Sequence, residues 1–167
     1  MFNGIIYNQG IVTKIIKRQK GLNIFIKSNL RVSKKDMGLS VACDGVCLTL
    51  ISYKSKIMEF YLSKETIERS KFRYLKKNEE INLELPLKYG QKISGHICQG
   101  HVDTVGKIIK RPKGLNIFIK SNLRVSKKDM GLSVACDGVC LTLISYKSKI
   151  MEFYLSKETI LDQNLNL

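Results

Sequence analysis

Five cysteines and two histidines carry most of the chemical potential of this 167-residue chain. Cys43 and Cys47 lie within the ten residues VACDGVCLTL, and the same ten return with Cys136 and Cys140. Such thiols can hold zinc, pair as disulfides or act as nucleophiles once deprotonated. Zinc knuckles commonly set their cysteines two residues apart, whereas three stand between Cys43 and Cys47, and His96 and His101 add no finger spacing. No metal site is therefore expected. An odd cysteine total argues against a disulfide framework and for a reduced, cytoplasmic protein. Residues 1–10 lack a basic segment followed by an apolar core, and no apolar run is long enough to span a membrane. The remaining chemistry is that of an imidazole able to move protons near neutrality, with thiols and hydroxyls close by in sequence.

The elements that must position these groups are themselves duplicated. Residues 14–67 return as residues 107–160 with a single change, Gln19 becoming Pro112. A repeat this long is a domain-sized unit, which predicts two similar domains, residues 1–95 and 96–167. It also accounts for the charge. Each copy holds 11 basic and 4 acidic residues, so the two copies supply all but one of the net +15. Basic residues form no long run and are not interleaved with aromatics, so no nucleic-acid partner is expected.

Within each unit the apolar residues mostly alternate. Leu22, Ile24 and Ile26 share one face of a strand in LNIFIK, and KIMEFYLS has the same character. Asp44-Gly45 reads as a tight turn between two strands, and KSK as the turn of a following hairpin. KETIERSKFRYL predicts a helix with Ile67, Tyr74 and Leu75 on one face. INLELPLK predicts a final strand. These elements give an all-β expectation: two tandem Greek-key β-barrels of the six-stranded type. The second is expected to be incomplete, with LDQNLNL where the first copy has its helix and last strand.

Four stretches resemble one family, riboflavin synthase of the alpha-chain type, whose barrels are also those of lumazine-binding proteins. MFNGII is similar to its MFTGI opening, SVACDGVCLTL to its ligand loop, SGHICQGHVD to its GGHxxxGHVD junction, and KETIERS to its ETLxxT segment. The resemblance implies dismutation of two 6,7-dimethyl-8-ribityllumazine molecules to riboflavin and 5-amino-6-(D-ribitylamino)uracil by transfer of a four-carbon unit. No cofactor or metal is implied. Non-catalytic lumazine or flavin binding, and an inactive recombined gene product, are the alternative readings. The family is a homotrimer whose active site forms where one subunit's first barrel faces its neighbour's second. Lack of the C-terminal helix predicts a weak or absent trimer.

The resemblance also implies the site. His101, Cys47 and Phe2 are the implied catalytic residues, with Cys47 serving either as a weak hydrogen-bond donor or as a nucleophile. Implied substrate-binding residues are Gly4, Ile5 and Ile6 of the opening; Cys47, Leu48 and Thr49 of the loop; Tyr61, Leu62, Ser63, Lys64, Glu65 and Thr66 over the ribityl chain; and Gly100, His101 and Val102 of the junction. In the second copy they are Cys140, Leu141, Thr142, Ser156, Lys157, Glu158 and Thr159. The family usually has serine where Cys140 stands and lysine where Gly131 stands.

Overall fold

The computed structural model describes residues 1–6, 8–91, 93, 95–110, 115–156 and 159. Six strands of the first half close into a barrel: β1 (Asn8–Arg18), β2 (Gly21–Ser28), β3 (Ser40–Cys43), β4 (Val46–Lys54), β5 (Ile57–Ser63) and β6 (Glu80–Glu84), in the order β1-β2-β5-β4-β3-β6. This is the Greek-key order, with β3, β4 and β5 joined by hairpins and β2 returning beside β5. Period-two patterning explains the closure, because alternate residues of β2, β4 and β5 point inward. Ile24, Ile26, Leu48, Leu50, Met58, Phe60 and Leu62 are all buried in one core.

Both expected turns are present. Asp44 and Gly45 adopt φ of 46° and 77°, and Ser55 and Lys56 adopt 51° and 64°, the left-handed pair that suits a two-residue hairpin. The expected single helix is not formed. α1 (Lys64–Arg69) stops at Ser70, whose hydroxyl donates to the Thr66 carbonyl and accepts from the Phe72 N–H. A 3₁₀ turn, Lys71–Tyr74, follows. Breaking the helix there buries Phe72 instead of Tyr74, which stays exposed.

The second half forms a five-stranded sheet: β7 (Lys107–Lys110), β8 (Asn116–Lys120), β9 (Ser133–Cys136), β10 (Val139–Lys147) and β11 (Ile150–Tyr154), ordered β7-β8-β11-β10-β9. This sheet is not closed. Even the register slip recurs, between Leu50 and Ser52 in β4 and between Leu143 and Ser145 in β10. What differs is cover. β6 lies between β1 and β3, and no strand lies between β7 and β9 among the described residues. Val12 and Ala42 are buried, while their counterparts Val105 and Ala135 are exposed. Ala42 and Ala135, identical in sequence surroundings, thus acquire different burial from one neighbouring strand. The LDQNLNL segment lies outside the described residues.

Candidate functional site

The two halves exchange short segments. Phe2 and Cys98 form an antiparallel bridge, each N–H donating to the other's carbonyl at 2.8 and 2.9 Å. From this bridge the chain ends diverge. The Cys47 N–H donates to the Gly100 carbonyl at 2.9 Å, and the Cys140 N–H donates to the Gly4 carbonyl at 3.0 Å. Val102 packs against the barrel core, and Ile6 is buried in the core of the second sheet. Residues 100–102 therefore accompany β4, and residues 4–6 accompany β10. A sequence division at residue 95 separates each segment from the sheet it serves.

Glycine is required where these segments cross. Gly4 has φ +72°, and a Cβ there would overlap the Cys140 sulfur. Gly100 has φ +82°, with space for a Cβ only 2.7 Å from Cys47 Cβ and 3.1 Å from the Phe2 ring. Phe2, Gly100 and Cys47 are thus contiguous, and Phe2 itself is buried. Glu84 fixes the opening segment: Oε1 accepts from the Asn3 N–H at 2.5 Å and Oε2 from the Gly4 N–H at 3.1 Å. Burial raises the Glu84 carboxyl above the usual range, against the pull of these hydrogen bonds.

A groove of about 1050 Å³ runs between the halves, lined in part by Phe2, Gly4, Cys98, Gly100, His101 and Lys71. His101 is exposed to it, beside the half-buried Val102. Cys47, Thr49, Cys140 and Thr142 do not line this groove. They occupy outward positions of β4 and β10: Cys47 and Cys140 are half-buried under the crossing segments, and Thr49 and Thr142 are exposed. Thr142 pairs with Tyr154 across β10 and β11, just as Tyr61 is exposed on β5 with its hydroxyl on the Lys20 carbonyl. Leu48, Leu62 and Leu141 point the other way, into the cores. They hold backbone in place and offer no side chain to a ligand.

At the end of β5 the Ser63 hydroxyl caps α1, accepting from the Thr66 N–H at 3.1 Å, while Lys64 and Glu65 are exposed. Ser156 and Thr159 repeat this bond at 3.1 Å. Ile5 is half-buried beside Ile6. Lys157 and Glu158 lie outside the described residues. Each half therefore presents an outer strip of thiol, hydroxyl, tyrosine and capped turn, overlain by a glycine-containing segment from the other half. The strip's backbone and hydroxyls suit the polar edge of a flat heterocycle. Among the described residues no cluster of three or more metal-ligating side chains occurs. Burial and the neighbouring Cys98 push the Cys140 thiol up to about 12, so at neutral pH it is a weak donor and not a thiolate.

Sequence reasoning missed a charged cluster between the halves. Lys71 Nζ lies 2.9 Å from Asp44 Oδ2 and 2.7 Å from Asp137 Oδ2. The two Asp-Gly turns meet here, with Gly45 and Gly138 so close that a Cβ on either would sit under 3 Å from the other's backbone nitrogen. The Asn82 side chain adds a bond to the Asp137 carbonyl at 3.0 Å. Burial raises the Asp44 carboxyl to about 7 in spite of Lys71. Burial also opposes charge on Lys71, but the two carboxylates outweigh it and raise its value. The two directions agree: one ammonium serves two acids, so Lys71 stays charged and the surplus negative charge invites a proton onto Asp44. The duplication implied two such turns, but nothing in the sequence set them face to face.

The lumazine binding domain family matches residues 3–86 and 99–167. Riboflavin synthase of Photobacterium leiognathi is 31% identical, over 99% of this chain and 78% of that protein. Riboflavin synthase of Chlamydia pneumoniae is 34% identical, over 96% of this chain and 80% of that protein. Among solved structures, LumP complexed with flavin mononucleotide superposes with a TM-score of 0.78 at 22% identity, covering 99% of this chain and 92% of LumP. LumP complexed with 6,7-dimethyl-8-(1'-D-ribityl) lumazine matches with the same score at 21% identity.

Proposed function

Since the chain belongs to the lumazine binding domain family, we propose that it is a riboflavin synthase, converting two 6,7-dimethyl-8-ribityllumazine molecules to riboflavin and 5-amino-6-(D-ribitylamino)uracil. One observation carries this reading: the setting of Cys47 beneath Gly100 is repeated by that of Cys140 beneath Gly4. Two equivalent faces suit a reaction whose two substrates are the same molecule. The dismutation is redox-neutral, with all atoms of the two lumazines found in the two products, so neither an oxidant nor a cofactor is needed.

In this reading Thr49 and Thr142 hydrogen-bond the heterocycle edges, and the Ser63–Thr66 and Ser156–Thr159 turns hold the ribityl chains. His101 moves the proton that must leave one lumazine methyl group, and Phe2 walls the space beside it. Placing the two rings against each other supplies much of the rate. The active site would form between subunits of a homotrimer in the cytoplasm. A second reading, binding without turnover, is favoured by the thiol at Cys140, a poorer hydrogen-bond partner than the family's serine, and by the fold shared with LumP. The test is His101→Gln. Riboflavin formation should fall at least tenfold while lumazine affinity changes less than threefold, a split expected of an acid–base group. Parallel loss of affinity and rate would assign His101 to binding alone.

A further inference from the structure

The bridge between Phe2 and Cys98 makes the two halves unequal in one respect. On the Cys47 side, the Phe2 ring lies against the crossing Gly100. At the equivalent place around Cys140 stands Cys98, and the two sulfurs are 3.9 Å apart. Both residues are partly accessible, whereas Cys43 is buried. Cys98 belongs to the junction outside the duplicated unit, and Cys140 is the duplicate of Cys47. Their meeting is thus a product of this chain's own arrangement.

We propose that Cys98 and Cys140 are a modification site: a thiol pair that closes to a disulfide on two-electron oxidation by a hydroperoxide. A disulfide brings sulfurs to about 2 Å, so they must approach by about 2 Å more. The flanking junction can supply this movement, because residues 95–97 and 99–106 form no helix or strand. Cys98 lines the groove between the halves and Cys140 does not, and burial keeps the Cys140 thiol protonated, at about 12, so Cys98 meets the peroxide first. Its sulfur attacks the peroxide: an S–O bond forms, the O–O bond breaks, and water leaves. Cys140 sulfur then attacks the sulfenic acid. The S–S bond forms, the S–O bond breaks, and hydroxide takes the Cys140 proton to leave as water. Two thiols have lost two electrons and two protons, and hydrogen peroxide has become two waters. The bond ties the junction to β10 and withdraws the Cys140 thiol from the second strip.

The experiment treats the full chain with hydrogen peroxide, alkylates what remains and analyses tryptic fragments. The duplication sets a trap, since residues 36–54 and 129–147 yield the same peptide, and fragment masses alone cannot tell Cys47 from Cys140. Variants resolve it. In wild type, alkylatable cysteines should fall from five to three as two thiols enter one bond, with residues 93–107 linked to the shared peptide. A dithiol reductant should restore all five. Cys47→Ser should keep the link, and Cys98→Ser and Cys140→Ser should each abolish it. The inference is overturned if wild type keeps all five thiols, if Cys98 proceeds to sulfinic acid unlinked, or if the link survives in Cys140→Ser.

Discussion

Lys71→Met keeps an aliphatic stem and removes the ammonium that holds two aspartates. The Asp44 side chain is 1% exposed. Its Oδ2 faces the Lys71 ammonium at 2.9 Å, and without Lys71 the Asn82 N–H on Oδ1 is left as its support. Removing one side of a buried pair costs about 3–5 kcal/mol. Lys71 and Asp137 are each 26% exposed, so water reduces the cost toward the lower end, about 3 kcal/mol at pH 8. Burial lifts the Asp44 carboxyl to about 7 in the folded chain, from the ordinary aspartate value of 3.8. A folded value raised above the unfolded one means that folding takes up a proton. Its stabilising contribution is complete below about 3.8 and is lost as pH rises through about 7. Without Lys71 the folded value climbs further and the loss extends to higher pH. At pH 5 Asp44 is already protonated, and the substitution should cost only about 1 kcal/mol. Lys71 itself, raised from 10.5, loses its contribution only in strongly alkaline solution and does not enter this window. Urea denaturation at pH 5 and pH 8 reads the difference, and Asp44→Asn combined with Lys71→Met should abolish the pH dependence. Equal costs at both pH values, or less than about 1 kcal/mol at pH 8, would mean that Lys71 does not hold a charged Asp44.

Three further outcomes are expected. Glu84→Gln sets an amide N–H against the N–H of Asn3 or Gly4; it should cost about 2 kcal/mol in denaturation and speed amide exchange at those two residues. Gly138→Ala combines φ +84° with a Cβ 2.9 Å from Gly45 nitrogen and should cost about 3 kcal/mol, whereas Gly131→Ala, at φ +85° in open space, should cost about 1 kcal/mol by the same assay. Cys140→Ser should raise riboflavin formation about tenfold, because a hydroxyl serves better than a thiol where charge develops, while Cys47→Ser should leave the rate unchanged or lower it.

Much of the barrel was legible because period-two alternation and Asp-Gly punctuation are local signals. VACDGVCLTL could be read as strand, turn and strand, and LISYKSKIMEFYL as a hairpin, from residues adjacent in sequence. The helix after β5 departs from its sequence pattern at Ser70, where side-chain bonds to Thr66 and Phe72 outcompete continued helix. No periodicity registers such local competition. Segment exchange was illegible for another reason. MFNGII and GHICQGHVD point to a family, but nothing within them says that Gly4 lies on Cys140 and Gly100 on Cys47. Exposure of Ala135 where Ala42 is buried depends on β6, far from both in sequence. The Asp44–Lys71–Asp137 and Cys98–Cys140 contacts depend in the same way on docking of the two halves.

If two equivalent faces act on two identical substrates, the stoichiometry of the products must show it. Purified chain is incubated with 6,7-dimethyl-8-ribityllumazine, and both products are separated and quantified over time. Riboflavin and 5-amino-6-(D-ribitylamino)uracil should appear in equal amounts, one of each for every two lumazines consumed. Chromophore that stays bound while neither product accumulates would contradict this.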